Sequence, residues 1–111
     1  MDKLEEYRKI IKKIIKEYAQ FKPAYGDIEV ETVFDEERKH YEMVQVGWEN
    51  RKRIHGSVIH VDIINEKVWI QHDGTESGIA KELVELGIPK DRIVLAFHPP
   101  DVRKYTQYAV A

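Results

Sequence analysis

Four apolar runs separated by short polar turns occupy the middle of the sequence. In the first run, Ile28, Val30 and Phe34 alternate with charged or polar residues, which is typical of a half-buried strand. The dipeptide Asn65-Glu66 predicts a tight hairpin turn between the third and fourth runs. The four predicted strands span residues 28–34, 41–48, 54–64 and 67–71. Strands this close in sequence usually pair with their neighbours, so the segment predicts an antiparallel meander of about four strands.

An amphipathic helix is predicted before the meander, from residue 2 to about residue 21. Its apolar residues recur at intervals of three and four positions, and four lysines gather on the opposite face. The apolar positions are Leu4, Tyr7, Ile11, Ile14, Tyr18 and Phe21, and the lysines are Lys9, Lys12, Lys13 and Lys16. The helix is short for a free coiled coil, so we expect its apolar stripe to pack on the sheet.

A short second helix and a fifth strand are predicted after the meander. Asp73 or Thr75 can cap the helix, and Glu76 stands three positions after Asp73, which is the spacing of a capping box. Gly87 ends the helix. The nearly continuous apolar run at 93–97 predicts a fifth strand over residues 92–97 that is buried on both faces or central in the sheet.

The predicted fold is therefore a single α+β domain over residues 1–111. It consists of an N-terminal helix, a meander of about four strands, a short helix and a fifth strand. The apolar end of the tail, residues 108–111, is expected to dock on this domain. A chain of 111 residues is close to the commonest domain size and can bury one core.

Composition excludes several classes of function. The sequence has no cysteine, so neither a disulfide framework nor thiolate chemistry is available. No apolar stretch is long enough for a membrane span, and the N-terminus does not resemble a signal peptide, so a cytoplasmic protein is expected. Eighteen basic residues against twenty acidic ones argue mildly against a dedicated DNA-binding protein.

Polar residues cluster in the turn after the fourth predicted strand and form a candidate partner or ligand site. They are His72, Asp73, Thr75 and Glu76. A strand end that leads into a helix cap explains them more simply than acid–base or metal chemistry does. If the turn does bind a ligand, the free N–H groups at the start of the helix favour an anion.

Histidine and aspartate on the third strand suggest a second candidate site. His60 and Asp62 share one face of that strand, and His72 on the next strand could lie beside them. Two histidines and a carboxylate are a credible metal-binding set, although cross-strand polar pairs are also common on the open face of a sheet. We interpret His40 and His98 as ordinary strand-end histidines.

No catalytic motif is present. The sequence has neither a nucleophile elbow nor a phosphate-binding glycine pattern, so we predict no catalytic residue, no metal and no cofactor, and no enzyme activity.

A basic cluster at Arg51, Lys52 and Arg53 is a candidate nucleic-acid contact, because Trp48 is close by for stacking. The alternative is a solvated loop, which is favoured by the many acidic residues elsewhere in the meander. The lysine face of the first helix has the same two interpretations.

Short segments along the whole chain carry a family resemblance. They are residues 4–8, 23–29, 40–41, 46–48, 69–76, 79–80, 82–83, 87–90, 93–98 and 108–111. The strongest matches are 69–76, WIQHDGTE, and the segments that follow it from 79 to 98. In these segments the chain resembles the XisI family of excision controlling factors, which is found mainly in filamentous cyanobacteria.

The resemblance implies a regulatory, non-catalytic role in programmed DNA rearrangement. Family members act with a site-specific recombinase and a companion factor, XisH, when a DNA element is excised during heterocyst development. It also implies an α+β fold, but no catalytic or ligand residue can be transferred. Direct DNA binding, or a small metal protein or enzyme that uses His60, His72 and Asp73, are the alternatives. A homo-oligomer is a further expectation, because the helix or an edge strand could pair with a second copy.

Overall fold

The computed structural model describes residues 3–21 and 26–111 and contains one five-stranded sheet with helices. In chain order the elements are α1 (Lys3–Ala19), β1 (Asp27–Asp35), β2 (His40–Glu49), β3 (Lys52–Ile64), β4 (Lys67–Asp73), α2 (Ala80–Glu85), a 3-10 turn (Lys90–Arg92), β5 (Ile93–Leu95) and α3 (Pro100–Arg103). The predicted α+β arrangement is confirmed. The predicted first residue of the helix and part of the family segment at 23–29 lie outside the described residues.

The strands follow each other across the sheet in the order β1-β2-β3-β4-β5. The first four pair in antiparallel fashion, as the predicted meander requires, and β5 pairs with β4 in parallel. The hairpin turn between β3 and β4 is confirmed, since Asn65 and Glu66 both have positive φ angles, of 52° and 64°. Two consecutive residues in this conformation match the right-handed twist of the flanking strands.

Gly47 allows β1 to lie close against β2. It is paired with Ile28, and a Cβ atom added to Gly47 would stand 2.1 Å from the carbonyl oxygen of Asp27. No side chain can be placed so near a backbone atom without moving it. The absence of a side chain at this position therefore sets the approach of the edge strand.

The hydrophobic core lies between α1 and one face of the sheet. The helix contributes Tyr7, Ile11, Ile14 and Ile15; the sheet contributes Tyr41, Met43, Ile59, Val61, Ile63, Val68, Ile70, Ile93 and Leu95; and the region around α2 contributes Ile79, Leu83 and Ile88. The predicted apolar stripe is thus correct over most of its length but wrong at Phe21, which follows the end of α1 and is 74% exposed. Tyr18 instead links the two helices, because its hydroxyl donates to Glu82 Oε2 at 2.7 Å.

The fifth strand is shorter than predicted and occupies the edge of the sheet. All three of its residues are buried, which agrees with the expected burial on both faces, but the alternative of a central position is wrong. The C-terminal tail covers its outer side, since the N–H of Ala109 donates to the carbonyl of Ile93 at 2.8 Å and Val94 forms a parallel bridge with Ala109. The docking of the tail is therefore confirmed.

Within the described ranges, none of the helices combines the length and apolar character that crossing a membrane requires.

Candidate functional site

The face of the sheet opposite α1 carries a group of polar side chains. Along β3, Ile59, Val61 and Ile63 are buried in the core, while His60 and Asp62 alternate with them and are only partly exposed. Side chains alternate between the two faces of a strand, so this pattern places both residues on the open face. The predicted shared face of His60 and Asp62 is what the structure shows.

Asp62 is the centre of this group and lies between two imidazole rings. Its Oδ1 is 2.7 Å from Nδ1 of His40, and its Oδ2 is 3.1 Å from Nε2 of His60. His40 reaches this position because β2 pairs with β3 so that His40 lies directly opposite Asp62. We call these three residues the His–Asp cluster.

Two further side chains support the cluster from outside. Glu42 Oε1 lies 3.2 Å from Nε2 of His40, and the amide Nε2 of Gln71 donates to Oδ2 of Asp62 at 3.3 Å. The rings of His40 and His60 also contact each other edge to face, with centroids 4.5 Å apart. Both nitrogens of His40 and both oxygens of Asp62 therefore have defined partners, which fixes the orientation of these two side chains.

The electrostatics of the cluster favour a protonated His40 beside an ionised Glu42. Burial lowers the pKa of His40, but hydrogen bonds with Asp62 and Glu42 outweigh it and raise this pKa above 6.5. Burial raises the pKa of Glu42, but hydrogen bonds from Ser57 and His40 outweigh it and bring this pKa below 4.5. A carboxylate can only accept, so His40 donates from both ring nitrogens when it is protonated.

The composition of the cluster differs from the set that the sequence suggested. His72 is the cross-strand partner of His60, as expected, but the potential metal-binding group within residues 3–21 and 26–111 consists of His40, His60 and Asp62. Reading His40 as an ordinary strand-end histidine missed its role as the second imidazole. The sequence shows that His40 and Glu42 alternate with apolar residues and so share one face of β2. It does not show the β2–β3 register that places His40 opposite Asp62.

The polar turn after β4 is held together by Asp73. Its Oδ1 accepts from the N–H and the hydroxyl of Thr75, and its Oδ2 accepts from the N–H of Ile79 at 2.7 Å. The hydroxyl oxygen of Thr75 in turn accepts from the N–H of Gly78 at 3.1 Å. These bonds organise the chain over six residues before α2, which is a structural use of the carboxylate.

The predicted capping box at Asp73 and Glu76 is wrong. Helix α2 begins at Ala80, and Ile79, which precedes it, makes no capping bond with its side chain. Glu76 is exposed in the intervening bend, as is His72 at the end of β4. The start predicted for the second helix was too early, because the Asp73 and Thr75 side chains stabilise a turn rather than the first helical residues.

The basic residues Arg51, Lys52 and Arg53 are all exposed at one end of the sheet. The predicted connection from 49 to 53 is shorter than expected, since β2 includes Glu49 and β3 begins at Lys52. The guanidinium of Arg53 lies 5.1 Å from the ring centroid of Trp48, and its Nη1 donates to the Gly47 carbonyl at 3.3 Å. The half-exposed Trp48 and this arginine form a stacked pair on the surface.

The lysine face of α1 lines a shallow surface depression. It is formed by Lys9, Lys12, Lys13 and Lys16 together with Glu17 and Gln20. One of the lysines is paired, because Lys12 Nζ lies 3.0 Å from Glu36 Oε1. The positive charge of this face is therefore partly neutralised.

These features define a class of small α+β domain in which one helix covers a five-stranded mixed sheet and the other face of the sheet carries a His–Asp cluster. The family profile described as XisI protein matches residues 1–110, and the chain belongs to the XisI family.

Solved structures agree with this assignment. A XisI-like protein from Anabaena variabilis ATCC 29413 is 41% identical, with a TM-score of 0.91, and the match covers 97% of this chain and 99% of that one. The fdxN element excision controlling factor XisI from the same organism is 35% identical, with a TM-score of 0.86, over 99% of this chain and 100% of that one. No curated protein matches the chain.

Proposed function

We propose that this protein is a non-catalytic accessory factor that controls the excision of a DNA element. The observation that carries the proposal is the full-length similarity, at 35% identity, to the protein described as the fdxN element excision controlling factor XisI. The setting we infer is the cytoplasm of a cyanobacterium, with heterocyst development as the process served.

The proposed mode of action is binding to protein partners, namely a companion factor of the XisH kind and the recombinase. Strand β1 is the surface we assign to this contact because it forms one edge of the sheet over nine residues, and an edge strand offers its backbone to another chain. Val33 on this strand is 44% exposed, and the exposed Glu31 nearby favours a basic partner segment.

Co-purification tests this proposal. The untagged chain is mixed with the tagged companion factor or the tagged recombinase, and we expect capture by at least one of them. The variant Glu31→Lys is expected to weaken capture at least tenfold, whereas Glu85→Lys, an exposed charge reversal on α2, should leave it unchanged. Failure of both partners to capture the wild-type chain would contradict the partner-binding role.

An excision assay tests the role itself. In cells that lack their own excision controlling factor, expression of this chain should restore excision of the element. Excision is measured as the amount of the rejoined DNA junction. A restored level no higher than that of an empty vector would contradict the proposed control of excision.

Direct DNA binding is the second candidate, and the exposed stack of Arg53 on Trp48 is the observation that favours it. Phosphate contacts make affinity fall steeply with salt, so fluorescence anisotropy should show binding at about 50 mM salt that weakens strongly by about 200 mM. Replacement of Arg51, Lys52 and Arg53 by alanine should abolish the signal, and replacement of Lys81 and Lys104, exposed lysines outside both basic surfaces, is the matched control. Absence of binding at low salt would rule this candidate out.

A further inference from the structure

The His–Asp cluster has the donor atoms of a metal site in a compact arrangement. His40, His60 and Asp62 each offer one ligand atom, and these atoms all lie within 4.8 Å of one another. Ligand atoms around a tetrahedral Zn²⁺ ion at bond lengths of about 2.0–2.1 Å stand roughly 3.4 Å apart. The observed separations of 2.7 Å and 3.1 Å from the Asp62 oxygens to the two imidazoles need only a small expansion to admit an ion.

The positions of the donors are fixed by the sheet. Asp62 and His60 alternate on β3, and His40 is held opposite Asp62 by the β2–β3 register. All three side chains are partly shielded from water, with exposed fractions of 29% for His40, 30% for His60 and 21% for Asp62. Backbone pairing therefore preorganises the ligands, and a water molecule would complete a tetrahedral set as the fourth ligand.

The surrounding residues complete the arrangement that metal-binding histidines use. When Nδ1 of His40 binds an ion, its Nε2–H still donates to Glu42 Oε1, at the observed 3.2 Å. This carboxylate–histidine–metal relay fixes the tautomer and raises the basicity of the ligand. Gln71 orients Asp62, because its side-chain amide donates to Oδ2.

We propose that His40, His60 and Asp62 bind one divalent transition-metal ion of the Zn²⁺ class, oriented by Glu42 and Gln71. Two imidazoles and one carboxylate suit Zn²⁺ and its neighbours better than Mg²⁺ or Ca²⁺, which prefer sites made of oxygen ligands. The site is independent of the partner-binding role, and it uses His40 where the sequence had suggested His72. The bound ion stabilises the pairing of β2 with β3 on the open face of the sheet.

Titration of the tag-free, EDTA-treated and dialysed chain tests the proposal. Co²⁺ is added as a spectroscopic probe, and we expect visible d–d bands that saturate at one ion per chain and disappear when Zn²⁺ displaces it. His60→Ala should weaken binding at least a hundredfold, and Glu42→Gln should weaken it about 10- to 100-fold through loss of the relay. His55→Ala, an exposed histidine on the same strand, is the matched control and should bind like the wild-type chain.

A measurement on the wild-type chain avoids dependence on the folding of variants. Paramagnetic Co²⁺ should shift and broaden the imidazole resonances of His40 and His60 while leaving those of His55 and His98 unchanged. Absence of saturable Co²⁺ and Zn²⁺ binding, or equal binding by His60→Ala, would overturn the proposal. Both results concern the ion alone, so they are distinguishable from failure of co-purification or of the excision assay.

Discussion

Nδ1 of His40 lies 2.7 Å from Oδ1 of Asp62, although the two residues are separated by 22 positions in the chain. The pair joins the start of β2 to the far part of β3, at the end of the hairpin distant from its turn. Because Asp62 also lies beside His60 and accepts from Gln71, this one carboxylate connects side chains from three strands.

Loss of this carboxylate is expected to destabilise the protein even without a metal. Asp62→Ala leaves three side chains without their acceptor, and we expect the free energy of unfolding to fall by about 1–2 kcal/mol, since water can reach the partly exposed groups. Urea unfolding in EDTA measures the change. His72→Ala, at an exposed position on the neighbouring strand, should change stability by no more than about 0.5 kcal/mol. Equal effects of the two substitutions would contradict the central role of Asp62.

The turn before α2 should depend on Asp73 and not on Glu76. Asp73→Ala removes the acceptor of three hydrogen bonds, so we expect a loss of about 1–3 kcal/mol in thermal or urea unfolding. Glu76→Ala removes only an exposed side chain and should stay within about 0.5 kcal/mol of the wild type. A loss for Glu76→Ala as large as that for Asp73→Ala would instead support the capping-box interpretation.

Gly47 should not tolerate even alanine. The added methyl group would stand 2.1 Å from the Asp27 carbonyl oxygen, so β1 must move away from β2, and we expect a loss of roughly 3 kcal/mol or more, near the upper end for single substitutions. Gly56→Ala is the matched control, because a Cβ there meets open space in the described part of the chain. Circular dichroism during heating compares the two, and a similar midpoint for both variants would disprove the steric argument.

Tyr41 should make stability fall at alkaline pH. Burial raises the pKa of Tyr41 to about 12 from the ordinary value of 10.0. The folded chain then keeps the phenolic proton while the unfolded chain releases it, so stability is lost as the pH rises from about 10 to about 12. Urea unfolding across this interval should therefore show a steeper decline for the wild type than for Tyr41→Phe.

The matched control for this pH dependence is Tyr105→Phe, since Tyr105 is 77% exposed. Its decline should parallel that of the wild type. A parallel decline for Tyr41→Phe as well would show that Tyr41 does not carry the effect.

The sequence by itself determined the elements whose signals are local. The three- and four-residue periodicity places α1, the alternation of β3 separates core residues from His60 and Asp62, and Asn65-Glu66 places the hairpin turn. Each of these signals follows from the geometry of one helix, one strand or one turn, so no knowledge of the rest of the chain is required.

Only the tertiary structure decided which residues meet. The His40 partner of Asp62 depends on a β2–β3 register that includes an irregularity between Met43 and Val44, and a shift of one residue would turn the histidine to the other face. The late start of α2 depends on side-chain bonds from Asp73, and the burial of β5 at the sheet edge depends on the docked tail. The His40–Asp62 pair and the docked tail are contacts between distant parts of the chain, and a local pattern does not contain them. The Asp73 bonds span only two to six positions, but the sequence does not show whether such an aspartate caps a helix or stabilises a turn.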